Sequence, residues 1–219
     1  MIDLHTHTLF SDGELLPSEL ARRAEVKGYK AIAITDHADS SNIDFIVPRI
    51  IKASKVLNSF WKIRVIPGVE ITHAPVEEIK KLVTMGQRLG AKIVVVHGET
   101  VSEPVIHGTN RAALESGCDI LAHPGLITAS DAKFAASKGI YLELSARKSH
   151  SKANRHVYVA AREASAKLVL NTDAHSGEDL ITDSQARRIL CDIGLKETEI
   201  KAVFSNSAEL AGRIVKDLK

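Results

Sequence analysis

Short apolar runs alternate with longer amphipathic stretches along the whole chain. The runs are Ile2–Leu4, Ala31–Ile34, Ile63–Ile66, Lys92–Val96, Asp119–Ala122, Ile140–Leu144 and Leu168–Leu170. Each is brief and several are rich in β-branched residues, as in strands buried on both faces. Between them, helical patterning predicts helices over Pro17–Lys27, Asp44–Ser59, Val76–Leu89, Arg111–Ser116, Asp131–Lys138 and Lys152–Ser165. Pro17 stands near a helix start, and Gly28, Gly90, Gly117 and Gly139 stand just past helix ends. Further helical stretches, Asp183–Ile193, Glu197–Phe204 and Ala208–Lys219, finish the chain.

Strand and helix alternating in this way imply βαβ units and a parallel sheet. The pattern is α/β and suits a small closed barrel of seven strands; a doubly wound open sheet is the alternative. No linker, repeat or low-complexity tract divides residues 1–219, so one domain is expected, with C-terminal helices from about residue 183.

Composition narrows the function classes. With 219 residues and 44% apolar content the chain can bury a full core, and at 4% aromatic that core must be mostly Ile, Val, Leu and Ala. The net charge of +2 is spread over interspersed charges, without the basic tail or stripe of a long-nucleic-acid binder. No run approaches the roughly 20 apolar residues of a membrane span, and the first strand begins at the first residue. A cytoplasmic protein is therefore expected. Cys118 and Cys191, far apart and outside any CxxC, read as isolated thiols of a reducing compartment.

The candidate chemistry lies at the strand ends. His5 and His7 follow the first run, with Asp12 close behind, and Asp36-His37 follows the second. The third leads to Pro67-Gly68-Val69-Glu70, the fourth to His97-Gly98-Glu99, the fifth to His123-Pro124-Gly125 and the seventh to Asp173-Ala174-His175. The sixth contains Glu143. In parallel α/β folds the C-terminal strand ends converge on one face, where active sites form. Side chains two apart on an extended chain share a face, so both imidazoles of the HxH pair can reach one ion. Single histidines at strand ends are mostly structural, and Asp or Ser there commonly caps a helix. Six histidines and three acids all on one side outweigh that reading and predict a multi-metal site of imidazole and carboxylate ligands.

Those motifs, Asp3-Leu4-His5-Thr6-His7-Thr8, Ser11-Asp12-Gly13, Thr35-Asp36-His37, Gly68-Val69-Glu70, His97-Gly98-Glu99, Ala122-His123-Pro124 and Asn171-Thr172-Asp173-Ala174-His175, occur in an order that resembles the PHP (polymerase and histidinol phosphatase) superfamily over essentially the whole chain. The resemblance implies a distorted, TIM-like (β/α)7 barrel with two to three divalent ions of Mn, Fe or Zn. It implies His5, His7, Glu70 and Asp173 around the first, Glu70, His97 and His123 around the second, and Asp12, His37 and His175 around the third. Some members carry a histidine near the position of Asp12. Glu70, Asp173 and His175 are the residues expected at the reacting atoms.

The activity so implied is hydrolysis of a small-molecule phosphate monoester, as in histidinol phosphatases, by a water that two bridged metals make acidic. Arg147 and Lys148, just past the sixth strand, are phosphate-binding candidates, with His107 and His150 as further substrate contacts. Glu99 and Glu143 are placed to orient ligand histidines, whereas His73 and His156 read as ordinary surface positions. A nucleotide or nucleic-acid phosphoesterase is the first alternative, and a non-catalytic RNA-binding or scaffold barrel the second. A small phosphate ester is the expected partner; oligomeric state is not legible.

Overall fold

A computed structural model describes the backbone of residues 1–216 and the side chains of residues 1–214. Eight parallel strand segments form one sheet: β1 (Ile2–Asp3), β2 (Ala31–Ile34), β3 (His37–Ala38), β4 (Arg64–Ile71), β5 (Ile93–His97), β6 (Ile120–Ala122), β7 (Tyr141–Ser145) and β8 (Leu168–Asn171). β2 and β3 pair with successive halves of β4, so they are two parts of one barrel strand interrupted at Thr35-Asp36. The sheet is thus a seven-strand, nearly closed TIM-like barrel, as the alternating pattern predicts.

The seam between β1 and β8 closes without a regular ladder. One bridge joins Thr6 to Ala174, Asp173 donates to the carbonyl of His5 at 3.0 Å, and His7 donates to that of Ala174 at 2.8 Å. Side chains complete it. Leu4 N–H donates to Asn171 Oδ1 at 2.9 Å, and Thr172 donates its hydroxyl to Asp3 at 2.5 Å.

Helices α1 (Pro17–Val26), α2 (Ile43–Phe60), α3 (Val76–Leu89), α4 (Thr109–Ser116), α5 (Ala129–Lys138) and α6 (Asn154–Ala164) lie between strands, followed by α7 (Asp183–Asp192) and α8 (Glu197–Lys216). The outer core packs apolar helix faces, such as Leu20, Ile46, Ile50 and Leu82, against the outward side chains of the strands. The inner core fills the barrel with Leu4, Ala33, Ile66, Val95, Ile120 and Val169. Leu210, Ala211 and Ile214 of α8 join this inner cluster, so that the last described helix stoppers the barrel.

Two boundaries differ most from the sequence pattern. The helices expected at Glu197–Phe204 and Ala208–Lys219 are one helix to Lys216, the rest of the second range lying outside the described residues. Ser205, Asn206 and Ser207 contain no breaker, and Asn206 Nδ2 donates to the carbonyl of Leu168, tying the midpoint to β8. The third strand also runs on from Ile66 to Ile71, through Pro67-Gly68. Gly68 is tolerated there because β5 and β2 press in: a Cβ would lie 2.5 Å from the Ile93 side chain and 2.7 Å from that of Thr35.

Candidate metal centre

The strand ends place their polar side chains around one buried point. His5 and His7 extend β1 between β2 and β8, and both rings are fully buried. Glu70 projects from the lengthened β4 and His97 is the last residue of β5. His123 and Asp173 follow β6 and β8 with φ of +25° and +53°, left-handed backbone that non-glycine residues seldom adopt. Gly125, at φ +59°, lets the His123 loop pass the β5–α4 loop; a Cβ there would lie 1.9 Å from the carbonyl oxygen of Glu99.

The ring nitrogens are sorted. Nδ1 of His5 donates to Glu143 at 2.8 Å and Nδ1 of His97 to the carbonyl of Gly98 at 3.1 Å, while Nδ1 of His37 bonds the Thr72 hydroxyl at 2.7 Å and Nδ1 of His175 meets the Arg147 guanidinium at 2.8 Å. Each contact fixes the orientation of its ring. The Nε2 atoms converge on carboxylates: His5 Nε2 lies 3.2 Å from Glu70, His7 Nε2 3.0 Å from Asp173, and His175 Nε2 3.2 Å from Asp12. His37 Nε2 is 3.5 Å from the same Asp12.

These pairs are close, yet most are not hydrogen-bonded. Among the described residues, seven of the eight buried side-chain N or O atoms without a hydrogen-bond partner belong to this cluster, including His5 Nε2, His7 Nε2, Glu70 Oε1 and Asp173 Oδ1. Ligand atoms about 2.1 Å from a shared ion stand about 3.0 Å apart at right angles and about 3.4 Å apart at tetrahedral angles. The separations here match that range. His5, His7 and Asp173 present donor atoms within 4.8 Å of one another, as do His7, Asp12, His37 and His175. The donor set therefore fits divalent ions.

The charges are mutually supporting. Burial opposes a charge on His5, but Glu143, Glu70 and Asp173 overcome it and hold its pKa well above the ordinary value. His37 is pushed up to about 10, burial again being outweighed by Glu70 and Asp12. His7 is held down to about 3 by burial and by the neighbouring His37. Burial would raise Glu70 and Asp173 as well, yet His5 and its companions keep both carboxylates below their usual range.

The expected residues divide. His5, His7, Asp12, His37, Glu70, Asp173 and His175 come together; His123 stands at the edge, its Nε2 3.8 Å from Glu70 and 4.0 Å from Asp173. His97 turns its Nε2 instead to Glu103 at 3.1 Å. Arg147 lines the cavity above the cluster and donates to the carbonyl of Asp173 at 3.1 Å. His150 is buried beside His123, its Nε2 3.5 Å from Asp173. Lys148 is exposed and does not line that cavity of about 220 Å³, nor does His107, which is 98% exposed and donates to Glu99. The Glu99 carboxylate accepts the N–H groups of Gly108 and Asn110 and so caps the start of α4. Glu143 does hold a buried histidine, as expected, and His156 donates to the carbonyl of Ile127 away from the cavity. Glu103 and His73 also line the cavity, and the sequence pattern passed over both. Ending the third strand at Ile66 set His73 far beyond it, whereas the strand ends two residues before it. Glu103 sits in a long loop with no periodic signal at all.

The sequence profile of the PHP domain matches residues 3–177. This chain belongs to the PHP family. The match takes in every strand end described above; α7 and α8 lie beyond it. An uncharacterized protein of Methanocaldococcus jannaschii is 46% identical over 201 residues, 91% of this chain and 92% of that protein. Among solved structures, a chain of an archaeal ribonuclease P with mature tRNA superposes with a TM-score of 0.74 at 17% identity, covering 98% of this PHP chain and 91% of the other. A histidinol phosphate phosphatase of Lactococcus lactis, complexed with zinc, L-histidinol and phosphate, gives 0.60 at 18% identity, covering 89% and 94%.

Proposed function

We propose that this PHP protein is a metal-dependent phosphoesterase acting on small-molecule phosphate monoesters. The observation that carries this reading is the buried set of imidazole and carboxylate atoms standing at ligand-to-ligand distances without hydrogen bonds, for which bare burial would be costly. His5, His7, Glu70 and Asp173 would hold one ion, and Asp12, His37 and His175 another. Manganese, iron and zinc all suit such donors. When bound, the ions supply Lewis acidity toward phosphate oxygens and lower the pKa of water.

The chain's own contribution is positional. Glu143 fixes the ring of His5, and the Thr72 hydroxyl, itself bonded to Glu70, fixes that of His37 while Glu70 reaches His5 with its other oxygen. Arg147 lines the cavity, where its guanidinium can pair with phosphate oxygens. A cavity of about 220 Å³ suits a phosphoryl group with a compact leaving group. The histidinol phosphate phosphatase, with its zinc and phosphate, supports the same assignment by likeness.

The test is elemental analysis of the purified protein together with phosphate release from a monoester panel, with and without chelator. The panel includes p-nitrophenyl phosphate, histidinol phosphate and nucleoside bisphosphates, and His5→Ala is the control. Bound metal and chelator-sensitive turnover, both lost in His5→Ala, are expected; metal-free protein that stays inactive after reconstitution would overturn the reading. A second reading, an RNA-binding barrel without catalysis, is favoured by the ribonuclease P likeness over 98% of the chain. It predicts salt-sensitive RNA binding that survives the His5→Ala change and is unaffected by chelator.

A further inference from the structure

Among the described residues lining the cavity the carboxylates are Asp12, Asp173 and Glu103, and of these Glu103 alone lies outside the strand-end set. It rides on the loop between β5 and α4. One oxygen, Oε2, lies 3.1 Å from His97 Nε2 and 3.1 Å from His73 Nε2, and the other lies 3.4 Å from His150 Nε2. The donor atoms of His73, His97 and Glu103 all lie within 4.8 Å of one another. These are again the separations of atoms sharing one ion at about 2.1 Å.

The loop is fastened in this position. Thr100 Oγ1 and His150 Nδ1 are hydrogen-bonded at 2.7 Å, and the Ser102 hydroxyl donates to the carbonyl of Ser149. Glu99, the residue after Gly98, holds the other end of the loop through the N–H groups of Gly108 and Asn110. His73 is aimed by a left-handed backbone, φ +50°. His97 already donates through Nδ1 to the carbonyl of Gly98, so its Nε2 faces Glu103 as a lone pair, an arrangement that favours a shared cation over a direct hydrogen bond.

We propose that Glu103 and His73 join His97 in holding a divalent ion, so that this ion is bound jointly by the barrel and by the β5–α4 loop. The inference rests on the metal-centre reading above. It assigns ligand roles to two residues outside the strand-end set, and it makes the His97 ion the one whose retention depends on a loop. The ions around His5 and around Asp12 draw on neither residue and are independent of it.

The experiment compares wild type, Glu103→Gln, His73→Ala and, as a control on the same loop, His107→Ala. Each is equilibrated with excess zinc or manganese, desalted, and titrated with a chelator, the metal remaining being measured by elemental analysis. A melting curve in chelator verifies that each variant is folded. The expected result is loss of the weakest-held ion in Glu103→Gln and His73→Ala, with its chelator midpoint shifted about tenfold or more, while the tighter ions and His107→Ala match wild type. Equal metal content and overlapping chelator curves in wild type, Glu103→Gln and His73→Ala would overturn the proposal while leaving the metal centre standing. Wild type that takes up no metal would remove both.

Discussion

At the scale of single residues, Glu143 shows how much of the centre depends on a side chain that need not touch an ion. Its Oε2 accepts from His5 Nδ1 at 2.8 Å and from Asn171 Nδ2 at 2.9 Å, inside a fully buried pocket. Glu143→Ala should weaken metal retention about 10–100-fold by freeing the His5 ring. Glu143→Gln, which keeps an oxygen for Nδ1, should cost less; equal retention in all three proteins, measured by chelator competition, would refute the orienting role. The two thiols offer a contrast. Cys118 is buried, and burial pushes its pKa up to about 12, whereas Cys191 is exposed. An aromatic disulfide reagent at mildly alkaline pH should label Cys191 alone in the native protein and both thiols after denaturation. Residue identity was also what the sequence conveyed best. The histidines and acids at the strand ends announce themselves by residue type and position, because a parallel barrel gathers every such position onto one face. Glu103 and His73 carried no such mark, since a glutamate in a long loop and a histidine past a supposed strand end look like solvated surface.

At the scale of elements, the pattern was legible wherever burial is two-sided and the period unambiguous, as in Ala31–Ile34 and Leu168–Leu170, whose bounds differ from the observed strands by at most one residue. It failed where tertiary packing overrides a local breaker. Pro67-Gly68 reads as a strand end, but neighbouring side chains need the space that a Cβ at Gly68 would take. The split of β2 from β3 was likewise invisible, because it arises where Asp36 turns inward to accept from the amide and hydroxyl of Thr8 at 2.6 and 2.7 Å. Loop crossings deserve the same attention as strands. At Gly125 the β6 loop passes so close to Glu99 that alanine can be accommodated only by moving one of them. Gly125→Ala should lower stability by about 1–3 kcal/mol from the backbone conformation alone, read as a fall in the urea midpoint. Because that crossing sets His97 beside His123, it should also reduce metal content. Unchanged metal content in a destabilised Gly125→Ala would mean that the crossing serves stability only.

At the scale of the whole molecule, the centre and the fold are thermodynamically one object. The barrel brings unpaired imidazoles and carboxylates into a dry interior, an arrangement that is costly until ions occupy it. An ion that binds the native but not the unfolded chain stabilises by RT ln(1 + [L]/Kd), about 2.7 kcal/mol at a hundredfold excess over Kd. Chelator should therefore lower the midpoint of thermal unfolding, and added zinc or manganese should restore it. A midpoint indifferent to both, measured by calorimetry, would mean that the cluster holds no ion tightly. The β1–β8 seam adds a consequence for synthesis on the ribosome. His5 is synthesised more than 160 residues ahead of its partner Asp173, and Leu4 equally far ahead of the Asn171 that anchors it. Until that segment is made, the early histidines have no closed barrel to occupy, and any ion they share with Asp173 would be captured only after the eighth strand segment has followed.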